Sequence, residues 1–122
     1  MAKTILIIDD SSPVRMVVRI TLKGAGYEVI EACDGMDALV KLDGQKIHLI
    51  ISDVNMPNMD GVAFVQAVKQ LASYRFTPII MLTTDSQEEQ KQNAQAAGAK
   101  AWVVKPFKPE QLLSAVSKLI LP

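Results

Sequence analysis

Asp9, Asp10, Asp53, Thr83 and Lys105 are the residues of this 122-residue chain whose types and spacing point to chemistry. Each stands at or just past the C-terminal end of a short, β-rich apolar run. Asp9 and Asp10 follow Ile5–Ile8, Asp53 follows Leu49–Ser52, Thr83 follows Ile79–Leu82, and Lys105 follows Trp102–Val104. Ligands of an open parallel α/β sheet bind in the crevice at the carboxyl ends of its strands. As parallel strands of one sheet, these runs bring three carboxylates, one hydroxyl and one ammonium to one rim. That set suits a phosphoryl group handled with Mg²⁺.

Charge explains the metal. Two bare carboxylates ~4 Å apart repel by about 4 kcal/mol at an effective dielectric near 20. Such clusters shift their pKa values or recruit a cation. Three carboxylates and one ammonium leave about −2, which a divalent ion neutralises. Mg²⁺ takes few protein ligands and favours carboxylate and carbonyl oxygens. Asp9, Asp10 and Asp53 supply the carboxylates, and a main-chain carbonyl such as that of Asn55 completes the set. Zinc is disfavoured, because the chain has one cysteine and one histidine. His48, at the start of a strand, reads as structural, and Cys33 as a small, partly buried filler. Asp53 opens the turn-rich segment Asp53–Gly61, where the chain bends sharply after a buried strand. A carboxylate there can attack phosphorus and become an acyl phosphate. Mg²⁺ and Lys105 then stabilise charge on the transferring oxygens, and the Thr83 hydroxyl donates to one of them.

The positioning elements alternate. Strands are expected near 4–8, 28–32, 48–52, 78–82 and 101–104, and helices near 13–24, 36–43, 61–72, 86–97 and 109–121. Continuous apolar strands suit a sheet covered on both faces, and five successive βα units imply parallel pairing with right-handed crossovers. Ser12 before Pro13 reads as an N-cap, and Ser86–Glu89 as a capping box. Gly24 and Gly26 end the first helix, and Gly98 closes the fourth. That fourth helix has only Ala94, Ala96 and Ala97 as anchors among polar residues. Burying alanines gains less than burying leucines, so it should be weakly held and easily displaced. The last helix places Leu112, Val116, Leu119 and Ile120 on one face, with Leu113 at its border.

Bulk properties bound the rest. The length suits one domain, 1–122, and 49% hydrophobic residues with mean hydropathy +0.19 imply a filled core. Thirteen basic and thirteen acidic residues cancel, which argues against a nucleic-acid or acidic-membrane partner drawn by net charge. A single cysteine excludes a disulfide framework, and the N-terminal apolar run is too short for a signal peptide or a membrane span. A soluble cytoplasmic protein is expected.

With these residues in place, essentially the whole chain resembles the receiver domain of a two-component response regulator. The stretches Thr83–Ser86 and Trp102–Phe107 resemble a single-domain, CheY-like chemotaxis branch. The motifs are Asp9-Asp10, Asp53-x-x-Met56-Pro57-x-x-x-Gly61, Thr83 and Lys105-Pro106-Phe107. The resemblance implies a flavodoxin-like three-layer (βα)5 sandwich with strand order 2-1-3-4-5. It makes Asp53 the acceptor of a phosphoryl group from a histidine kinase, with Mg²⁺ (or Mn²⁺) held by Asp10 and Asp53 directly and by Asp9 through water. Lys105 would pair with the phosphoryl group, and Thr83 would move to bond it. Trp102 takes the switch-aromatic position, where Tyr or Phe is more usual. Asn55 and Asp85 lie where side chains tune dephosphorylation, Thr84 narrows access to the acyl phosphate, and the Lys105–Pro106 bond is cis.

The expected role is a phosphorylation-activated switch without an output domain. It would be a monomer that docks to a partner such as a flagellar motor switch protein, or meets a phosphatase. The fourth helix, with Trp102 and the last helix, would relay the signal. A single-domain relay to a histidine phosphotransfer protein is the nearest variant. From another class comes a Mg²⁺-dependent phosphohydrolase with Asp53 as nucleophile, as in haloacid-dehalogenase-like enzymes. Those place their paired aspartates two apart after the first strand, whereas here the pair is adjacent. A dinucleotide-binding module lacks its Gly-x-Gly-x-x-Gly, and DNA binding lacks a basic face.

Overall fold

In the computed structural model, described over residues 3–54, 59, 61–83 and 88–120, five strands alternate with five helices. The strands are β1 (Thr4–Ile8), β2 (Glu28–Ala32), β3 (Leu49–Asp53), β4 (Ile79–Thr83) and β5 (Ala101–Val104). All pair in parallel, in the order β2-β1-β3-β4-β5, as the resemblance implied. The helices are α1 (Ser12–Gly24), α2 (Gly35–Leu42), α3 (Gly61–Lys69), α4 (Glu88–Ala97) and α5 (Pro109–Leu119).

Strand alternation divides the core in two. Leu6, Ile8, Ile50, Ile79 and Met81 face α2 and α3, where Ala38, Leu42, Phe64, Val65 and Val68 cover them. Ile5, Ile7, Leu49, Ile51, Ile80, Leu82 and Val103 face α1 and α5, under Val18, Leu22, Leu112 and Val116. Every residue of β3 and β4 is buried, which is why these runs are continuously apolar up to the polar residue that ends each. β1 lies between β2 and β3, so the chain leaves β1 in one direction and returns on its other side. The crevice opens there.

Helix boundaries depart from the sequence reading in instructive places. Ser11, not Ser12, caps α1: its backbone is extended (φ −89°, ψ 112°) and its Oγ accepts from the Val14 N–H at 3.3 Å. The choice follows from Asp9, whose Oδ1 takes the Ser11 N–H at 2.9 Å and fixes the chain one residue earlier. α3 stops at Lys69, not near 72, because the Gln70 and Leu71 amides bond three residues back, to Ala67 and Val68, and tighten the last turn. α5 ends at Leu119, with the Ile120 amide still bonded to Val116. Gly98 follows α4 at φ +123°, a conformation that suits glycine. The Ser86–Glu89 capping box lies outside the described residues.

Two residues read as structural have clear positions. His48 Nδ1 accepts from the Thr4 N–H at 3.0 Å, and its own amide donates to the Thr4 carbonyl, tying the start of β3 to β1. Cys33 is exposed, contrary to the expected filler role. Ala32 takes the buried position at the end of β2, and Cys33 follows it into the turn.

Candidate functional site

The rim is made by strand ends. β3 and β4 finish on Asp53 and Thr83, while Asp9 and Lys105 follow β1 and β5 by one residue. Backbone hydrogen bonds extend the ladder past the strands: the Asp9 amide bonds Ala32, the Val54 amide Leu82 and the Lys105 amide Thr83. The four side chains thus stand on ordered main chain.

Asp9, Asp10 and Asp53 each place a carboxylate oxygen so that all three lie within 4.8 Å of one another. Asp9 and Asp53 are buried and Asp10 is exposed. Lys105 Nζ bridges the buried pair, 3.0 Å from Asp9 Oδ2 and 3.4 Å from Asp53 Oδ2. With Asp9 Oδ1 held by the Ser11 amide and Oδ2 by Lys105, both of its oxygens are engaged. Asp10 is the carboxylate left facing solvent.

The electrostatics follow. Burial, and then the charge of Asp9, push the Asp53 carboxyl above its ordinary value, against the counteracting pull of Lys105. Burial works to lower the Lys105 pKa, but the hydrogen bond to Asp9 and the charges of Asp53 and Asp9 outweigh it, so the ammonium is held more firmly protonated. Asp53 is therefore a carboxylate with incomplete compensation beside a cation already shared. An added divalent cation fits that deficit, and three convergent carboxylates are a hard-oxygen donor set for it.

Thr83 gives the second sign of a missing group. Its Oγ1 is buried and has no hydrogen-bond partner among the described residues. Buried hydroxyls are normally satisfied, and an orphan costs about 1–3 kcal/mol. A phosphoryl oxygen brought to the rim is an acceptor of the right kind.

Trp102, two positions before the end of β5, is half-buried against the α2–α3 side of the core. The Lys105–Pro106 peptide bond is cis. Asn55, Thr84 and Asp85 lie outside the described residues. The structure therefore brings Asp9, Asp10, Asp53, Lys105 and Thr83 to one rim and sets Trp102 on the neighbouring strand.

Two contributors were missed or under-read in the sequence. Arg15 of α1 donates from Nη1 to the Asp9 carbonyl at 2.5 Å and from Nε to Glu31 at 3.3 Å, fastening the Asp9–Asp10 peptide to β2. Arg19 completes the clamp, 2.7 Å from Glu31. The i, i+4 spacing of two arginines on the helix after the paired aspartates was the available signal. Gly61 was read as the end of a turn-rich segment and as a motif residue, without a physical reason for glycine. A Cβ there would stand 2.4 Å from the Asp53 carbonyl oxygen and 2.9 Å from Val54 Cα. The Gly61 amide also closes the loop onto the Val54 carbonyl at 2.8 Å. A side chain at 61 has to push the Asp53 main chain aside.

Residues 5–117 match the family described as the response regulator receiver domain. Chemotaxis protein CheY1 of Helicobacter pylori is 39% identical over 110 residues, covering 88% of this chain and 89% of that one. Protein PilG of Pseudomonas aeruginosa is 34% identical over 112 residues, 92% of this chain and 83% of its own. Among solved structures, chemotaxis protein CheY4 of Vibrio cholerae is 48% identical with a TM-score of 0.92, covering 98% of this chain and 99% of that one. The receiver domain of the sensor histidine kinase PA1611 of Pseudomonas aeruginosa, solved with a magnesium ion coordinated in its active-site cleft, is 27% identical with a TM-score of 0.90 and 98% coverage of both chains.

The raised Asp53 pKa has a sign that can be checked. The folded protein binds this proton more tightly than the unfolded chain, so ionising Asp53 costs stability as pH rises from the ordinary carboxylate range through the raised pKa. Without divalent metal at neutral pH, Asp53→Asn is expected to unfold at a higher temperature than wild type. The gap should narrow on acidification, as followed by thermal melts across pH.

Proposed function

The chain belongs to the response regulator receiver family, and on that premise we propose that Asp53 is the phosphoacceptor of a phosphorylation-activated switch in a two-component system. The observation that carries this is the Asp53 carboxylate itself: buried, 3.4 Å from Lys105 and sharing one metal-sized cluster with Asp9 and Asp10.

The residues divide the work. An Asp53 Oδ attacks the phosphorus of a phosphohistidine on the kinase. The new O–P bond forms as the P–N bond breaks, and the imidazole leaves. Lys105 swings little, since it already stands between Asp9 and Asp53, and its ammonium meets charge growing on the phosphoryl oxygens. Thr83 Oγ1, without a partner beforehand, donates to one of those oxygens once they arrive. Asp10 and Asp53 would ligate Mg²⁺ directly, Asp9 through water because its own oxygens are engaged, and the Asn55 carbonyl would complete the set. When bound, Mg²⁺ supplies neutralisation of the carboxylates and of the transferring oxygens. Hydrolysis returns Asp53 to its carboxylate, and by family resemblance the Asn55 and Asp85 side chains would tune its rate. The protein is a signalling protein, and these self-directed reactions are its chemistry.

The downstream role we assign is chemotaxis-type signalling in the cytoplasm, as a monomer donating no phosphoryl group onward. It would receive phosphate from a chemotaxis-type histidine kinase and dock to a protein target such as a flagellar motor switch protein. The named relatives CheY1 and CheY4 support it. No helix among the described residues is long and apolar enough to cross a membrane. The relay is α4: Gln92, Asn93, Gln95 and Ala96 are exposed and Ala97 is half-buried, so little apolar surface holds the helix down. When Thr83 turns to the phosphoryl group, Trp102 reorients beside it and α4 shifts with them.

Incubation with acetyl phosphate and Mg²⁺ is expected to add one phosphoryl mass to the wild type and none to Asp53→Asn or to metal-free protein, read by intact mass. An adduct retained in Asp53→Asn would reject the assignment. Hydrogen exchange should show α4 exchanging faster than α1 and changing on phosphorylation. Protection equal to α1 and unmoved by phosphate would remove α4 as the relay.

A further inference from the structure

We infer that the opposite end of the sheet, away from Asp53, carries a second docking site that takes an acidic protein segment bearing apolar side chains. In a parallel α/β fold, strand starts and helix ends share one end of the molecule. Here that end carries Lys3 before β1, Lys46 before β3, Lys100 before β5 and Lys118 in the last turn of α5. Among the described residues, none of these four lysines is in an ion pair. The net charge of +0 hides this segregation, because the acidic residues counterbalancing them include Asp9, Asp10 and Asp53 at the far rim. Among the described residues, Glu28 and Asp43 are the carboxylates near this end, and neither lines the groove described next.

A groove of about 430 Å³ opens between the loop preceding β4 and the end of α5. Lys100 and Lys118 flank it, Pro78, Leu119 and Ile120 give it an apolar lining, and His48 lies at one side. Lys3 directly precedes Thr4, whose amide donates to His48 Nδ1, and Lys46 lies two residues before His48, so both lysines belong to this end. Burial, and then their charges, hold the imidazole below its usual pKa. At the lip is Phe76, 88% exposed.

Phe76 is not a loose tip. Lys69 Nζ donates to the carbonyl of Arg75 at 3.0 Å and to that of Thr77 at 2.9 Å, one on each side of it. The Thr77 amide bonds back to Tyr74, whose ring is buried and whose hydroxyl holds Leu42 and Gln45 carbonyls. The loop is thus pinned in a form that presents an aromatic ring to solvent. A fixed, exposed aromatic beside an apolar recess has the anatomy of a binding anchor, since such rings give large contact area for little ordering cost. Among the described residues, the charged side chains lining the groove are Lys100 and Lys118, so the complementary occupant is acidic. A concave recess suits a peptide side chain better than the flat surface of a bilayer. Because the groove lies at the other end of the strands from Asp53, such a tether leaves the rim free to cycle.

The test uses a labelled peptide alternating leucine and glutamate, followed by anisotropy and by backbone resonances. Binding should shift Phe76, Lys100 and Ile120 and spare Asp53 and Lys105. Lys100→Glu with Lys118→Glu, and separately Phe76→Ser, should each weaken binding about tenfold or more while leaving the spectrum of the folded chain intact. Added salt should weaken it further. Equal binding of an all-glutamate peptide would reduce the site to a diffuse cationic surface and overturn the proposal. So would shifts confined to another face, no binding at all, or co-sedimentation with phosphatidylglycerol vesicles in place of peptide binding.

Discussion

Repulsion among carboxylates at the ends of buried strands is the constraint on which this structure turns. Asp9 and Asp53 are forced together by the pairing of β1 with β3, and both are withdrawn from water. One ammonium, Lys105, is shared between them. It offsets part of the cost and leaves the Asp53 carboxyl disfavoured in its charged form. The rim is therefore held in a state that gains from a divalent cation. The Thr83 hydroxyl, without a partner among the described residues, is the same deficit in hydrogen-bond form.

Much of the surrounding fold exists to keep that arrangement from relaxing. The fully buried β3 and β4 allow Asp53 and Thr83 no retreat along the strand. Arg15 and Glu31 hold the Asp9 peptide from the β2 side, and the close approach of Gly61 holds the Asp53 peptide from the α3 side. Along α4, Gln92, Asn93, Gln95 and Ala96 are exposed. A rigid site next to a weakly packed helix is the arrangement by which a local change in charge is read at a distance, because the least stable element yields first.

The sheet was legible because periodicity survives in sequence. Short β-branched runs such as Ile5–Ile8 and Ile79–Leu82 specify buried parallel strands, and their polar endings specify the rim. The strand order was carried by resemblance, since nothing local in β1 says which neighbours it takes. Boundaries were less readable. Ser11 and Ser12 are chemically equivalent as caps, and only the tertiary bond from Asp9 Oδ1 to the Ser11 amide decides between them. The end of α3 depends on a tightened last turn that composition does not mark. Cys33 was read as filler from its place near a strand end, yet β2 stops at Ala32 and Cys33 is exposed. The Arg15 clamp was only half legible: the i, i+4 spacing of Arg15 and Arg19 marks one helix face, but the Asp9 main-chain carbonyl that Arg15 bonds is recorded by no side-chain motif.

Calorimetric titration of the unphosphorylated protein with Mg²⁺ tests the account most directly. One Mg²⁺ should bind per chain, and Asp10→Asn or Asp53→Asn should lose it while remaining folded. A folded wild type that binds no Mg²⁺, or binds it equally after Asp53→Asn, would contradict the claim that the carboxylate cluster is a cation site built around Asp53.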